Sequence, residues 1–392
     1  MAPWLSATPE GSLLRHLRVY ALWPAACRQP DGGERASQGA WIRRGFSPGF
    51  RWTDFCKWHH PSFAAHLPPQ TDAGGCTRTK AGGQRQGRGR PCVILISGGG
   101  YNINAPIFEG HLAAEYFCRA HGAVCLVVRY RVATGGWDAP AGLADCGRML
   151  SLAHANAEAW GIDRSRIAVF GASAGGSVAV NLLAAAADGP HAGVALPAVH
   201  GAYLAAGIDP AGIQLEASCL LLLYPWLDMV TTSGGYERLI KTVKVLGSGL
   251  SEAAGKARAT LMSPCELQDG GKEGHLLDGS EEVSFLWPDA KLSALPPTAA
   301  VVCDGDGATP ACAKAFVARL NTLHREGDSR GGSNAAFAEY TELTFGKDVK
   351  SVHAFALEEW SHELLDDAMV AKGYKVRIAK QADTGLMNAA QS

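Results

Sequence analysis

Short apolar runs, each followed by a stretch with helical spacing, recur along the chain from residue 91 onward. The apolar runs are predicted strands, at 92–97, 123–130, 167–170, 218–224, 298–303 and 351–357. Helices are predicted at 108–121, 141–160, 177–187 and 311–324, with a short one from about residue 363. Strands that are apolar throughout and alternate with helices indicate a parallel sheet covered on both faces. With right-handed crossovers, this pattern predicts a doubly wound α/β domain over residues 91–375.

Two stretches interrupt this alternation. Residues 229–295 are mixed in character and only partly helical, which predicts an inserted lid region over a pocket. Residues 326–350 begin with a Gly/Ser-rich segment and are predicted to be a surface excursion between a helix and its strand. Residues 376–392 are predicted to be a C-terminal tail.

Residues 1–90 lack a regular pattern and are predicted to be an N-terminal extension. An apolar stretch at 12–27 is either an Arg-bearing organellar presequence or, as the sequence favours, a first strand at 17–23. Residues 28–90 are rich in Gly, Pro, Gln and Arg, which predicts a basic loop or linker, with an aromatic-rich insertion at 46–58. The extension carries 13 Lys and Arg against 5 Asp and Glu. Its Gly/Arg tail at 81–90 has no alternating aromatic residues, so nucleic-acid binding is not expected.

Composition narrows the function classes further. The 392 residues are 47% hydrophobic, enough for one large α/β domain, and the net charge of −1 gives no general attraction to nucleic acid or membrane. No segment approaches the ~18 apolar residues that suggest a membrane span. The eleven cysteines include no CxxC pair and no Cys/His cluster, so no metal site is predicted. Reduced cysteines favour an intracellular, cytoplasmic location, with organellar targeting left open. Nothing in the sequence indicates an oligomeric state.

The strongest candidate chemistry lies at residues 166–177. An apolar strand ends at Gly171 and an Ala-rich helix follows, and between them Gly171-Ala-Ser-Ala-Gly175 fits the G-x-S-x-G turn. Such a turn holds its serine in a strained conformation, so the flanking positions must lack clashing side chains. The helix N-terminus then directs its N–H groups toward an oxyanion beside Ser173. Ser173 is therefore the candidate nucleophile.

The chain resembles the α/β-hydrolase superfamily, and more narrowly its acetyl-xylan-esterase-like and hormone-sensitive-lipase-like serine esterases. The matching segments are 97–101 (SGGGY), 108–110 (FEG), 128–131 (VRYR), 140–145, 160–167, 171–176 (GASAGG) and 223–225 (LYP). The similarity is dense over about 91–228 and thinner over 295–370. Ser97 stands where the lipase relatives carry the His of HGGG, and the resemblance implies that this change is tolerated because the oxyanion donors are backbone amides. It also implies a carboxylic ester hydrolase without a metal or an organic cofactor.

In this superfamily the partners of the serine follow in the order acid, then histidine. Asp306 follows the 298–303 strand four residues before a proline, where the family carries its acid, which favours it over Asp304. Both aspartates can also be read as caps of the next helix, and Asp228 is a lesser alternative. His362 is the candidate base, because it follows the last predicted strand and precedes the last helix, whereas His353 lies within that strand.

The remaining site predictions concern the oxyanion and the substrate. The predicted oxyanion donors are the backbone N–H groups of Gly99, Gly100 and Ala174. Tyr101, Tyr224 and Trp226 are predicted to line the pocket for a small-molecule ester. Because residues 229–295 are threaded with charge, short acyl groups, acetyl to butyryl, are expected rather than long chains. Alternatives are a formamidase, amidase or small peptidase of the same fold, or a non-catalytic hydrolase-fold binding protein.

Overall fold

The computed structural model describes residues 18–23, 61–67, 89–133, 137–185, 195–230, 252–267, 283–303, 306, 309–327 and 337–343. The strands in these ranges are β1 (Arg18–Ala21), β2 (Ser62–His66), β3 (Arg90–Ile96), β4 (Val124–Arg129), β5 (Ile162–Ala172), β6 (Cys219–Leu223), β7 (Cys265–Leu267), β8 (Val283–Phe285), β9 (Thr298–Cys303) and β10 (Ala338–Leu343). The α-helices are α1 (Ala113–His121), α2 (Ala139–Ala155), α3 (Ala157–Trp160), α4 (Ala174–Ala184), α5 (Ala195–Ala205), α6 (Glu252–Met262), α7 (Asp289–Leu292) and α8 (Thr309–Gly327). A π-helical turn, Ile107–Leu112, leads directly into α1.

Eight of these strands form one sheet in the order β1-β2-β4-β3-β5-β6-β9-β10. Strands β4, β3, β5, β6, β9 and β10 run parallel to one another. At one edge, β2 pairs antiparallel with both β4 and β1. The predicted doubly wound, mostly parallel α/β fold is therefore confirmed. The carboxyl ends of the parallel strands share one edge of the sheet, where ligand sites of such folds lie.

Both faces of the sheet are covered, as the uniformly apolar strands predict. Along β3, Ile94 and Ile96 belong to the core cluster that also contains residues of α2 and α4, whereas Val93 and Leu95 belong to the cluster on the opposite face, with residues of α1. All four side chains are buried. A strand that is apolar on both faces is stable only between two layers of helices, which is why the hydrophobic runs predicted this fold.

Two strands of the eight-stranded sheet appear where the sequence predicted none. Strand β2 (Ser62–His66) lies within the predicted basic linker, so that prediction is wrong for these residues, which pair with both β1 and β4. Strand β10 (Ala338–Leu343) lies within the predicted surface excursion at 326–350, and it extends the sheet in parallel register with β9. Helix α5 was not predicted either. Strand β1 lies within the predicted strand at 17–23, whereas 46–58, 81–88 and 351–392 fall outside the described residues.

The described parts of the predicted lid region pack on the sheet domain. Strands β7 and β8 form a small antiparallel pair, and both contact α8. The backbone N–H of Met229 donates to Ser263 Oγ at 2.8 Å, and Asn181 Nδ2 on α4 donates to the carbonyl of Met262 at 2.7 Å. These contacts hold α6 and β7 against the helix that follows Ser173. A lid role for residues 229–295 stays a prediction.

Three further observations apply to the described ranges. None of their helices is both long enough and apolar enough to cross a membrane. Eight cysteines lie in these ranges, all of them buried, and no two of them form a disulfide. No group of three or more His, Cys, Asp or Glu side chains in them is arranged to hold a metal ion.

Candidate active site

Ser173 lies on the turn between β5 and α4, at the carboxyl edge of the sheet. Its backbone has φ 51° and ψ −122°, a conformation that costs a residue with a side chain about 1–3 kcal/mol. Two hydrogen bonds from β6 and the residues after it hold this conformation. The Ser173 N–H donates to the carbonyl of Leu223, and the Ser173 carbonyl accepts from the N–H of Trp226, both at 2.9 Å. The turn is therefore fixed to the end of the neighbouring strand.

The glycines of the G-x-S-x-G turn are required by close backbone contacts. A Cβ on Gly175 would lie 2.1 Å from the carbonyl oxygen of Ile96, at the end of β3. A Cβ on Gly171 would lie 2.5 Å from the carbonyl oxygen of Gly175. Neither distance is compatible with a side chain, so the motif reflects how tightly α4 approaches β3 and β5.

The glycine-rich loop after β3 lies directly beside the serine. A Cβ on Gly98 would be 2.7 Å from the Cβ of Ser173, so only glycine lets the loop come this close. The next two residues, Gly99 and Gly100, have φ of 124° and 61°, in the region that favours glycine. The carbonyl of Gly99 accepts from the N–H of Ile103 at 3.0 Å, which closes a tight turn.

Backbone donors are available around Ser173. Among the described residues, the N–H groups of Gly99, Gly100 and Ala174 make no hydrogen bond with the protein. The N–H of Gly98, in contrast, donates to Glu109 Oε2 at 2.5 Å. The three N–H groups that the sequence predicted as oxyanion donors are therefore available, whereas the N–H of Gly98 is occupied by Glu109. Their role as an oxyanion hole stays a prediction.

Glu109 is a buried acidic residue that sequence reasoning did not identify as functional. Its carboxylate accepts from Gly98 N–H through Oε2 and from the Tyr224 hydroxyl, at 2.8 Å, through Oε1. The residue is only 2% exposed. One signal was present in the sequence, the Phe108-Glu-Gly110 segment of the family resemblance, but the partners of Glu109 are 11 and 115 positions away along the chain.

The candidate acids differ in their surroundings. Asp306 is buried just beyond the carboxyl end of β9, and its backbone carbonyl accepts from the N–H of Thr309 at 3.1 Å. Asp228 Oδ1 accepts from the N–H of Val230 at 2.9 Å, and Oδ2 accepts from the N–H of Leu267 at 3.1 Å. Each carboxylate oxygen of Asp228 thus fastens a backbone segment, which favours a structural role for this residue. Asp304 and the candidate base, His362, lie outside the described residues.

The predicted pocket aromatics are buried, and their polar atoms are engaged within the protein. The Tyr101 hydroxyl donates to Ser177 Oγ at 3.0 Å, and burial raises the pKa of Tyr101. Trp226 Nε1 donates to the carbonyl of Asp228 at 2.6 Å, and its ring centroid lies 6.2 Å from that of Tyr101. The Tyr224 hydroxyl donates to the buried carboxylate described above. A substrate-lining role for these three side chains stays a prediction.

A buried ion pair supports the loops behind the site. Arg131 donates through Nε and Nη2 to Asp145, at 2.9 Å to Oδ2 and 2.8 Å to Oδ1, and Trp23 Nε1 donates to Oδ1 at 2.6 Å. Burial raises the pKa of Asp145, and the charge of Arg131 opposes that shift. Two residues after Arg131, the N–H of Ala133 donates to the carbonyl of Tyr101 at 2.9 Å. The ion pair therefore links Trp23, which follows β1, to the segment after β4 that is hydrogen-bonded to the end of the glycine loop.

A strained serine at a strand-to-helix turn, above a mostly parallel sheet and beside a glycine loop, defines an α/β hydrolase. Residues 93–322 match the model of the family described as alpha/beta hydrolase fold. The match spans more than half of the chain, and the protein belongs to this family. The sequence resemblance to the α/β-hydrolase superfamily is confirmed.

Solved structures of esterases are similar to this chain. The esterase Est2 of the planctomycete Thermogutta terrifontis has a TM-score of 0.46 at 15% identity and covers 76% of this chain and 79% of its own. Carboxyl esterase 2 of the fungus Tuber melanosporum has a TM-score of 0.43 at 18% identity, with 76% and 74% covered. An acetyl ester-xyloside bifunctional hydrolase of Caldicellulosiruptor lactoaceticus has a TM-score of 0.43 at 17% identity, with 73% and 78% covered. No curated protein sequence matches this chain.

Proposed function

We propose that the protein is a serine carboxylesterase that hydrolyses esters through an acyl-enzyme intermediate. The observation that carries this proposal is the geometry of Ser173, which is strained at the β5–α4 turn with the Gly98 backbone in contact with its side chain. Backbone N–H groups on both sides of the serine, from the glycine loop and from the first turn of α4, are available to an oxyanion. This combination suits attack on an acyl carbonyl.

The proposed reaction assigns a role to each predicted site residue. Ser173 Oγ attacks the ester carbonyl while His362 takes the hydroxyl proton and Asp306 orients the imidazole. The tetrahedral oxyanion accepts hydrogen bonds from the predicted backbone donors, each of which contributes about 10²–10³ in rate. His362 then returns the proton to the leaving alcohol. Water activated by the same histidine hydrolyses the acyl-enzyme, so the cycle uses no metal or organic cofactor.

The proposed substrate is a short-acyl ester, from acetyl to butyryl, of a sugar or another polar alcohol. A lipase that works at an oil surface exposes a broad apolar face on its lid. The predicted lid region instead carries many charged residues, namely Glu237, Arg238, Lys241, Lys244, Glu252, Lys256, Arg258, Glu266, Asp269, Lys272, Glu273, Glu281 and Glu282. Such a composition does not form a continuous apolar surface.

A hydrolysis screen tests both parts of this proposal. We expect p-nitrophenyl acetate to butyrate, and acetylated sugars, to be cleaved, with kcat/KM falling as the acyl chain lengthens. Ser173→Ala should lower turnover by about 10⁶, because the triad acts as a unit, and should abolish labelling by a fluorophosphonate probe. Wild-type activity in Ser173→Ala would overturn the serine mechanism. A rise in kcat/KM beyond about eight carbons would overturn the short-acyl assignment, and negligible ester cleavage with fast hydrolysis of formylkynurenine would favour a formamidase.

A further inference from the structure

The buried carboxylate of Glu109 lies against the start of the glycine loop. A Cβ on Gly98 would be 2.9 Å from Glu109 Oε2 and 2.7 Å from the Cβ of Ser173, so the carboxylate and the serine approach the same residue. The carboxylate binds the backbone of the loop through one oxygen and the Tyr224 hydroxyl through the other. We propose that Glu109 is a positioning residue that sets the orientation of the oxyanion donors by holding the Gly98 peptide. This inference rests on the proposed esterase function, and no proton transfer or contact with substrate is assigned to Glu109.

The two hydrogen bonds of Glu109 connect the two halves of the site. Tyr224 follows β6, and its N–H donates to the carbonyl of Val301 on β9 at 2.7 Å. The residue before it, Leu223, accepts the N–H of Ser173. The carboxylate therefore links the loop after β3 to the same strand end that holds the nucleophile. A shift of one half of the site relative to the other would have to break one of these bonds.

The support of Glu109 is itself rigid. Glu109 lies on the π-helical turn, where the N–H of His111 donates to the carbonyl of Pro106 at 2.6 Å. The next residue, Gly110, packs so closely on β4 that a Cβ there would lie 2.6 Å from Cγ1 of Val127. A buried carboxylate is costly unless its oxygens are hydrogen-bonded, so the bonds from Gly98 and Tyr224 stabilise the carboxylate in this position. The turn therefore fixes the position from which the carboxylate holds the loop.

The bond to Gly98 determines which way the following N–H groups point. Because three successive glycines have few conformational restraints of their own, the loop needs an external contact to keep one orientation. With the Gly98 N–H committed to Glu109, the N–H groups of Gly99 and Gly100 are the loop donors left for the oxyanion. Donors that are oriented in advance act mainly on the transition state, in which the negative charge develops. Loss of the contact should thus lower kcat and leave KM nearly unchanged.

The test replaces Glu109 and compares a matched change on the same helical segment. Glu109→Gln keeps the size of the side chain but loses one acceptor oxygen, and we expect kcat for p-nitrophenyl acetate to fall by about 10–100-fold with KM within about twofold. Glu109→Ala should cost about 10²–10³. Glu115→Gln changes a buried carboxyl group of α1 that pairs with Arg119 on the same helix, and it should leave kcat unchanged. Affinity for a trifluoromethyl ketone, which forms a tetrahedral oxyanion on the serine, should fall in proportion to kcat/KM.

The outcomes separate this inference from the esterase proposal. If Glu109→Gln keeps wild-type kcat/KM while Ser173→Ala is inactive, the positioning role is wrong and the esterase proposal stands. A faster Glu109→Gln enzyme would also overturn it, because the negative charge would then be opposing the oxyanion. If Ser173→Ala stays active, the esterase proposal itself fails. Where the Glu109 variants do not fold, Tyr224→Phe decides, because it releases one carboxylate oxygen only. We expect it to lower kcat about tenfold at constant KM, and an unchanged kcat would overturn the inference.

Discussion

The close approach of α4 to β3 makes Gly175 the position where the smallest possible addition should do the most damage. In Gly175→Ala the new methyl group would lie 2.1 Å from the Ile96 carbonyl oxygen and 2.7 Å from that of Ser97. An ordinary contact between such atoms is about 3.4 Å, so relief requires a separation of roughly 1 Å between backbone segments that are both buried. No side-chain rotation can provide it, because both neighbouring atoms belong to the backbone.

Two effects with different magnitudes should follow. Overpacking of a tight interior costs about 1–3 kcal/mol, which for a domain of this size lowers Tm by roughly 2–6 °C. The helix that must move begins one residue after Ser173, and a misplacement of about 1 Å at a catalytic group costs about 10² in rate. We therefore expect a modest loss of stability together with a large loss of kcat for p-nitrophenyl acetate.

The matched control is Gly201→Ala on α5. A Cβ at this helical position meets no atom within 4 Å, so the same chemical change should raise the free energy of unfolding by about 0.5–1 kcal/mol through helix propensity. Urea denaturation and esterase assays on both variants provide the comparison. A Gly175→Ala enzyme with wild-type Tm and kcat would show that α4 can move away from β3 freely, and would refute the packing argument.

Three further predictions concern ionisable residues. Asp306→Asn should lower kcat by about 10⁴ with an unchanged Tm, whereas Asp228→Asn should lower Tm more than kcat; the reverse result would make Asp228 the catalytic acid. Asp145→Asn should destabilise the fold by about 3–5 kcal/mol in urea denaturation, because it leaves the Arg131 cation without its partner, and a change under 1 kcal/mol would refute this. Burial lowers the pKa of His66 from 6.5 to about 4. Between pH 4 and pH 6.5, the unfolded chain therefore binds a proton at this histidine and the folded chain does not. From His66 alone, stability should therefore fall by up to about 3 kcal/mol as the pH is lowered from 6.5 to 4. Burial also lowers the pKa of His111, which is hydrogen-bonded to His66, so His66→Gln should reduce the pH dependence in urea denaturation without removing it.

The sequence predicted the strands that are buried on both faces and missed the short or edge strands. β3, β4, β5, β6 and β9 each contain a continuous apolar run, because helices cover both faces of the sheet along that run. The two strands of the large sheet that the sequence did not predict, β2 and β10, have weaker hydrophobic patterns for different reasons. β2 has five residues within a Gly/Pro-rich stretch, and β10 is an edge strand whose middle residues are only partly buried. An edge strand needs fewer apolar residues, so its periodicity is faint.

The site was predictable only where its residues follow local rules. The strained turn at Ser173 has a local signature, because the glycines two positions before and after it are required by adjacent backbone. Glu109 has no such signature, since its two partners lie on other elements and are brought to it only by the sheet order β4-β3-β5-β6. The preference for Asp306 over Asp228 came from the spacing to a proline, whereas the backbone hydrogen bonds that Asp228 accepts are not visible in the sequence. The catalytic acid stays a prediction.

The antiparallel strands β1 and β2 set the point from which the chain can be shortened. β2 pairs over its whole length, Ser62–His66, with residues 125–129 of β4, so a truncated chain that started at residue 89 would leave the outer side of β4 without a neighbour. That side would then present a row of unpaired N–H and C=O groups on an apolar strand, a template for the edge of another molecule. It would also lose the Trp23 hydrogen bond to Asp145. Strands β1 and β2 thus cover the edge of β4, and a truncation that keeps the sheet of the described residues intact has to start ahead of β1 rather than at β3.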